Sequence, residues 1–426
     1  MSKEKIKALR GMNDILPSDS PKWQKLERTI TSLMALYGFE NIRTPIMEET
    51  KLFARGIGDV TDIVEKEMYS FSMKPNPTID DMMTLRPEFT AGIVRAVIEH
   101  NLVYDRPQKL FSFGPVFRHE RPQKGRYRQF HQLSVEALGF TGPDIDAELI
   151  ALLNRLWQTL GLTDIRLELN SLGNIQERLA HRQVLIEYLE KYKDSLDEDG
   201  LRRMYTNPLR VLDTKNPTMQ DMANAAPKLF DFLGTESRQH YDELCERLDQ
   251  IGIPYTLNTR LVRGLDYYNL TVFEWVTDKL GAQGTVCGGG RYDGLVEMLG
   301  GKPTPAVGFG LGIERLLELM ELNESSEKTV TCDIYVIHQG KQASLKAFEI
   351  GELCRSHGYH TQVHAGSTGF KSQFKRADNS GATLALILGD NEIETGTIGI
   401  KALRNSELNQ QNIPQSELIN QLKRML

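Results

Sequence analysis

The chain has 426 residues, 40% of them hydrophobic and 25% charged, with a formal net charge of −6. That length predicts two large domains or about three ordinary ones, with ample core. No apolar run approaches the roughly 20 residues a membrane span needs, and the N-terminus MSKEKIKALRGMNDILP has no apolar signal core. Four scattered cysteines (Cys245, Cys287, Cys332, Cys354) make no CxxC pair, which speaks against zinc or a disulfide framework and suits a reducing, cytoplasmic setting. With an acidic balance, any nucleic-acid contact must use local basic patches.

Residues 21–37 predict a helix, because Trp23, Leu26, Ile30, Leu33, Met34 and Tyr37 recur at helical spacing. Ser18 or Ser20 is suited to cap it and Gly38 to stop it. FENIRTPIMEE follows as a strand carrying Pro45, which places it at a sheet edge or a bulge. Two short strands, 69–73 and 82–86, flank a loop. A helix is predicted over 91–100, so Glu88 and Thr90 stand at a strand-to-helix junction. There they can bind an ammonium group, or Thr90 can simply cap the helix.

Residues 117–132, FRHERPQKGRYRQFHQ, predict a strand, a charged turn and a returning strand. Five of the eleven residues 118–128 are basic (Arg118, Arg121, Lys124, Arg126, Arg128), opposed only by Glu120. Side chains alternate along a strand, so Gln132 and Glu136 share one face. Cations at one end of the ribbon and a carboxylate at the other suit a substrate with a polyphosphate at one end and a polar group at the other. A solvated charged hairpin is the alternative reading.

A helix over 144–160 and a strand over 165–170 come next. Helical periodicity then dominates 174–251, which predicts a helical insertion. Strands resume at 255–262, 270–276 and 285–287, followed by a Gly-rich turn, a helix over 293–299, and the strand AVGFG leading into the helix LGIERLLELMEL. Residues 322–329 are polar and aperiodic. Beyond them strands alternate with helices, and a small mixed α/β domain is predicted.

Three further stretches carry chemistry. LVRGLDYY (261–268) sets Arg263 and Asp266 around Gly264, before Tyr267 and Tyr268. CGGGRYDGL (287–295) puts three glycines before Arg291 and Tyr292, which suits either close backbone approach to a ligand or a tight hairpin. In GFGLGIERLLEL (308–319), Arg315 falls on the first turns of a helix, where a surface arginine is the ordinary occupant.

Taken together, these stretches resemble one family. FRHERPQKGRYRQF resembles motif 2 of the class II aminoacyl-tRNA synthetases, GLGIERL their motif 3 and TPIMEE their motif 1. LVRGLDYY and GGGRYDGL are similar to the two signature peptides of the histidyl-tRNA synthetases, and RGMNDILP is typical of them. The resemblance implies an α+β catalytic domain on an antiparallel sheet with flanking helices (residues 1–325, insertion about 174–252). It also implies a linker at 326–329 and a C-terminal α/β anticodon-binding domain at 330–426.

It further implies a bacterial-type, class IIa, AMP-forming ligase that joins histidine to its tRNA, using ATP with Mg2+ and no zinc, as a cytoplasmic homodimer. Arg118 and Arg263 would be catalytic, at the α-phosphate and its junction with the carboxylate. Arg126 would hold the terminal phosphates, Glu120 the adenine or metal-bound phosphates, and Phe130 and Arg315 the two faces of the adenine. Glu88, Thr90 and Gln132 would surround the ammonium and carboxylate of histidine. Glu136 and Tyr268 would face its ring nitrogens, with Tyr267 and Tyr292 closing the pocket. Arg121 and Gln123, at the ribbon tip, would touch the tRNA acceptor end. No side chain is assigned to metal. The family commonly has a small residue where this chain has Phe89, whose side chain strand alternation would turn into the core.

The chemistry agrees with the residue types. A carboxylate and a phosphate repel, so positioning and charge stabilisation carry the acceleration, and guanidinium forks suit phosphate oxygens. A rival from another class is the non-catalytic, histidine-sensing regulatory paralogue of ATP phosphoribosyltransferase. It lacks the C-terminal domain and typically loses signature residues, whereas Arg118, Arg126, Arg263 and Arg315 are all present here.

Overall fold

The computed structural model describes residues 5–57, 66–123, 125–214, 216–263, 267–281, 284–323, 332–405 and 408–426. Lys124, Gly264, Asp266 and the linker proposed at 326–329 lie outside the described residues. The chain divides into two compact units, Met1–Glu324 and Ser325–Leu426.

The first unit is built on strands β1 (Glu40–Asn41), β2 (Met47–Glu49), β3 (Tyr69–Phe71), β4 (Met83–Leu85), β5 (Gln108–Phe117), β6 (Gln129–Leu138), β7 (Arg166–Ser171), β8 (Tyr255–Leu257), β9 (Asn269–Val276), β10 (Thr285–Arg291) and β11 (Ala306–Gly312). Eight of them form one sheet in the order β1-β5-β6-β11-β10-β9-β7-β8, while β2, β4 and β3 form a separate small sheet. Only the outermost pairs, β1 with β5 and β7 with β8, are parallel; the long inner strands pair antiparallel.

Alternation along these inner strands makes two unlike faces. Leu133, Val135 and Ala137 of β6, Phe273 and Trp275 of β9, and Val307, Phe309 and Leu311 of β11 all enter one apolar core. Helices Ser20–Leu36, Pro143–Thr159, Thr235–Gln250 and Ile313–Asn323 contribute to the same core. Each buried Leu or Phe there contributes roughly 1.5–3 kcal/mol. The residues in between (Gln132, Ser134 and Glu136; Glu274; Gly308, Gly310 and Gly312) belong to the other face, which carries glycine and polar groups. One strand set therefore supplies both the core and a second, chemically furnished surface.

Several expectations are corrected. Pro45 lies inside no strand: the motif splits into β1, at the sheet edge, and β2, in the small sheet, with Pro45 between them. The helix expected over 91–100 starts at Thr90, whose side chain does not cap it. Instead the Glu88 carboxylate accepts from the N–H groups of Thr90, at 2.5 Å, and Ala91, at 3.0 Å, satisfying two of the donors a helix start leaves over. The first long helix begins at Ser20 with no side-chain cap from Asp19, and the Ser20 hydroxyl donates back to the Leu16 carbonyl. The three glycines of CGGGRYDGL form no hairpin turn but run through the middle of β10. Strand β8 stops at Leu257, short of the expected 262.

The insertion is helical as expected, with helices Ile175–Glu190, Glu198–Arg203, Leu209–Leu212, Gln220–Ala225 and Thr235–Gln250. The second unit is a five-stranded sheet of β12 (Ile334–His338), β13 (Thr361–Val363), β14 (Leu384–Leu388), β15 (Thr397–Ala402) and β16 (Gln411–Pro414), ordered β13-β12-β14-β15-β16. Helices Lys341–Ser356, Phe370–Asn379 and Leu418–Met425 accompany it. Strand β16 and the short helix Asp390–Thr395 carry no signal in the sequence reading above.

Candidate active site

The furnished face of the sheet bears two adjoining constellations. The first is a cleft of about 310 Å³ lined by Arg118, Glu120, Arg126, Phe130, Gln132, Arg263, Glu274 and Arg315 among others. The β5–β6 ribbon supplies the first five, and Arg315 rises from the start of the helix Ile313–Asn323. Every arginine in the cleft is tethered. Arg118 donates to the Pro87 carbonyl at 3.0 Å and lies over the Phe130 ring, 5.3 Å from its centroid. Arg126 pairs with Glu120 at 3.2 Å. Arg315 donates to the carbonyls of Gly125 at 3.2 Å and Thr285 at 2.8 Å. Arg263 pairs with Glu274, whose other oxygen accepts from the Thr285 hydroxyl at 2.9 Å.

The electrostatics show positive charge in surplus. Burial, with the Arg126 and Arg118 charges nearby, depresses the pKa of Arg315. Burial works most strongly against the Arg263 charge, but the Glu274 carboxylate and Tyr268 together outweigh it and the pKa is raised. Such a cleft attracts a polyanion and aims fixed guanidinium donors at it.

The second constellation is a buried carboxylate among tyrosines. Glu136 is 1% exposed. One of its oxygens accepts from the hydroxyls of Thr90 and Ser134, each at 2.7 Å, and the other from the Tyr292 hydroxyl. Burial raises its pKa to about 7, despite these three donors. The rings of Tyr267 and Tyr268 lie 4.7 Å apart, with Tyr292 at 5.4 and 6.3 Å from them, and Arg263 stands over Tyr268 at 5.6 Å. Glycine makes this approach feasible. A Cβ on Gly308 would fall on the Glu136 carboxylate, and one on Gly288 would fall on the Arg263 guanidinium. That close approach, rather than a turn, accounts for glycine in central strands.

The structure thus brings Arg118, Glu120, Arg126, Phe130, Gln132, Arg263 and Arg315 to one cleft. It gathers Thr90, Glu136 and Tyr292 in one hydrogen-bonded group, beside Tyr267 and Tyr268. Tyr292, not Tyr268, is the phenol bonded to Glu136. Glu88 is spent on the helix start, and burial raises its pKa. Phe89 is 2% exposed, in the core, with the Arg86 guanidinium 4.1 Å from its ring centroid. Arg121 and Gln123 are exposed at the ribbon tip, where Gln123 bridges Arg126 across the turn. Glu274, Thr285 and Ser134 escaped the sequence reading. Glu274, like Glu136, is a lone carboxylate in an apolar strand, and that contrast was the available signal. Among the described residues, no group of three or more His, Cys, Asp or Glu is placed to hold a metal ion. No helix among them is long and apolar enough to cross a membrane.

Comparison with known proteins agrees with this geometry. The family model described as histidyl-tRNA synthetase matches residues 11–316, and that of the anticodon binding domain matches residues 333–425. The chain is 62% identical to the histidine–tRNA ligase of Bordetella parapertussis, over 99% of this chain and 98% of that one. It is 58% identical to the histidine–tRNA ligase of Paraburkholderia phytofirmans, over 97% and 94%. The crystal structure of apo histidyl-tRNA synthetase from S. aureus superposes with a TM-score of 0.82 at 36% identity, covering 98% of this chain and 100% of that one. The fold, the tethered arginines of the ribbon and both signature peptides therefore have one explanation: the chain belongs to the histidyl-tRNA synthetase family.

Proposed function

We propose that this chain activates histidine with ATP, giving histidyl-adenylate and pyrophosphate, and then passes the histidyl group to the 3′-terminal adenosine of its tRNA. The observation that carries this reading is the adjacency of the four-arginine cleft and the buried Glu136–tyrosine group on one sheet face. The first suits a nucleoside triphosphate. The second suits a neutral ring that offers one donor and one acceptor, and a site whose polar groups would stay unpaired with other side chains rejects them by about 10⁴ or more.

On this reading ATP enters as its Mg2+ complex. Arg118 and Arg263 meet the α-phosphate and offset the repulsion between it and the incoming carboxylate. Arg126 releases Glu120 to hold the terminal phosphates, and Phe130 and Arg315 take the adenine. Thr90 and Gln132 hold the amino acid's backbone, with Glu88 acting through the helix start it caps. Glu136 accepts from the imidazole N–H, and a tyrosine hydroxyl, Tyr268 or Tyr292, serves the other ring nitrogen with Tyr267 as a wall. Residues 1–325 are the catalytic domain with its insertion at about 174–252, and 330–426 the anticodon-binding domain, in a cytoplasmic homodimer. Exposed Ile46 and Met47, at the start of the small sheet's edge strand β2, support pairing there.

The regulatory-paralogue alternative is disfavoured by the second matched domain and by relatives named histidine–tRNA ligase along nearly the whole chain. ATP–pyrophosphate exchange with each amino acid in turn is the test. Stimulation by histidine alone is expected; stimulation by another amino acid, or by none, overturns the reading.

A further inference from the structure

Arg291 is fully enclosed, at 0% exposure, yet it touches neither the cleft nor the Glu136 oxygens. All five of its N–H donors are engaged. Nε and one Nη2 proton go to Asp146, at 3.3 and 2.5 Å. The other Nη2 proton goes to the Gly142 carbonyl at 2.7 Å, and the Nη1 protons go to the Phe140 carbonyl at 2.9 Å and Asp293 at 3.2 Å. Asp146 is itself clasped by His240 of the helix Thr235–Gln250 at 2.9 Å. Asp293, on the far side, takes the Ala306 N–H at 3.0 Å and exchanges two hydrogen bonds, each of 2.9 Å, with the Asn269 side chain.

The residue between these two anchors is Tyr292, whose own N–H donates to the Ala306 carbonyl at 2.7 Å and whose hydroxyl donates to Glu136. A buried charge pair is weak evidence for stability, since apolar residues of like volume often do as well. What a guanidinium adds is orientation, because its donors are fixed in one plane.

We propose that Arg291 is a positioning residue for amino-acid recognition: its planar fork fixes the backbone at the end of β10, so that the Tyr292 hydroxyl meets the Glu136 carboxylate. This rests on the function proposed above. It assigns to Arg291 control of histidine affinity, with no part in binding ATP.

The test is pyrophosphate exchange by the full-length chain, with KM measured separately for histidine and ATP, for the wild type, Arg291→Lys, Tyr292→Phe and the double variant. Lysine keeps the charge but supplies three donors from one atom instead of a five-donor fork. Arg291→Lys is expected to raise the histidine KM about tenfold and to leave the ATP KM within twofold. The double variant should lose no more than Tyr292→Phe alone, because the two act through one contact. A histidine KM unchanged in soluble Arg291→Lys, equal shifts in both KM values, or additive losses in the double variant would overturn the proposal. If Arg291→Lys does not fold, the apolar swap Arg291→Met with Asp146→Leu replaces it. That swap should fold with a raised histidine KM, and a native KM there counts against the proposal. Wild-type exchange that does not respond to histidine would instead sink the function itself.

Discussion

Replacing Glu136 by glutamine removes a buried charge and keeps the shape of the side chain. Raising this carboxyl from its ordinary 4.5 to about 7 amounts to about 3 kcal/mol at roughly 1.4 kcal/mol per pH unit. A carboxyl whose folded pKa lies above its unfolded value favours folding most when protonated. The contribution is whole below pH 4.5 and is lost as pH passes about 7. The Glu136→Gln variant never ionises here. Its stability minus that of the wild type should therefore climb by about 3 kcal/mol from pH 4.5 to pH 8, and mismatched hydrogen bonds would shift only the offset. Urea unfolding followed by tryptophan fluorescence measures this in the catalytic unit alone, since Trp23, Trp157 and Trp275 are the three tryptophans of the chain and all precede Glu324. Function should move the opposite way. Losing a charged acceptor for the imidazole N–H costs about 1.5–3 kcal/mol, or roughly 10- to 100-fold in the use of histidine. A stability difference that stays flat with pH refutes the burial argument. A histidine KM within twofold of wild type refutes the contact.

Two other outcomes follow from the same face of the sheet. Gly308→Ala puts a Cβ on the Glu136 carboxylate and the Val135 carbonyl. It should cost about 1–3 kcal/mol of stability and at least 100-fold in histidine-dependent exchange at ~1.4 kcal/mol per tenfold; exchange within a few-fold of wild type would show that the strands do not approach so closely. Arg121→Ala and Gln123→Ala, at the exposed ribbon tip, should slow tRNA charging several-fold while sparing pyrophosphate exchange, and equal losses in both assays would deny the tip a separate role.

Much of this site was legible because a period of two is a strong signal. Side-chain alternation alone puts Gln132 and Glu136 on one face of β6, although Ser134 between them drew no notice. The charges of residues 118–128 likewise marked a ribbon end. Glycine was misread because its two uses look alike in sequence. The run at 288–290 offers the freedom of a turn, but what β10 needs is the missing Cβ. That need is set by Arg263 at Gly288, by Gly308 and Phe309 at Gly289 and by Thr271 at Gly290, all outside β10, so no local window contains it. Capping was misplaced for a similar reason: Thr90 is a good cap by type, but Glu88, from two residues earlier, takes the Thr90 and Ala91 N–H groups instead. Arg291 stood out in the sequence without a role, because its partners Asp146, Phe140 and Gly142 lie far upstream.

The large sheet ends in very short strands, two residues of β1 on one side and three of β8 on the other. Unpaired strand edges are templates on which further chains add and fibres grow, and their hazard scales with length. Here the ten-residue strands β5 and β6 and the eight-residue β9 are all interior. Strands β6 and β9 are paired on both sides over most of their length, and β5 is paired on its outer side by β1 at Leu110 and Phe111. Ending the sheet in strands of two and three residues leaves a further chain little template to extend at either end.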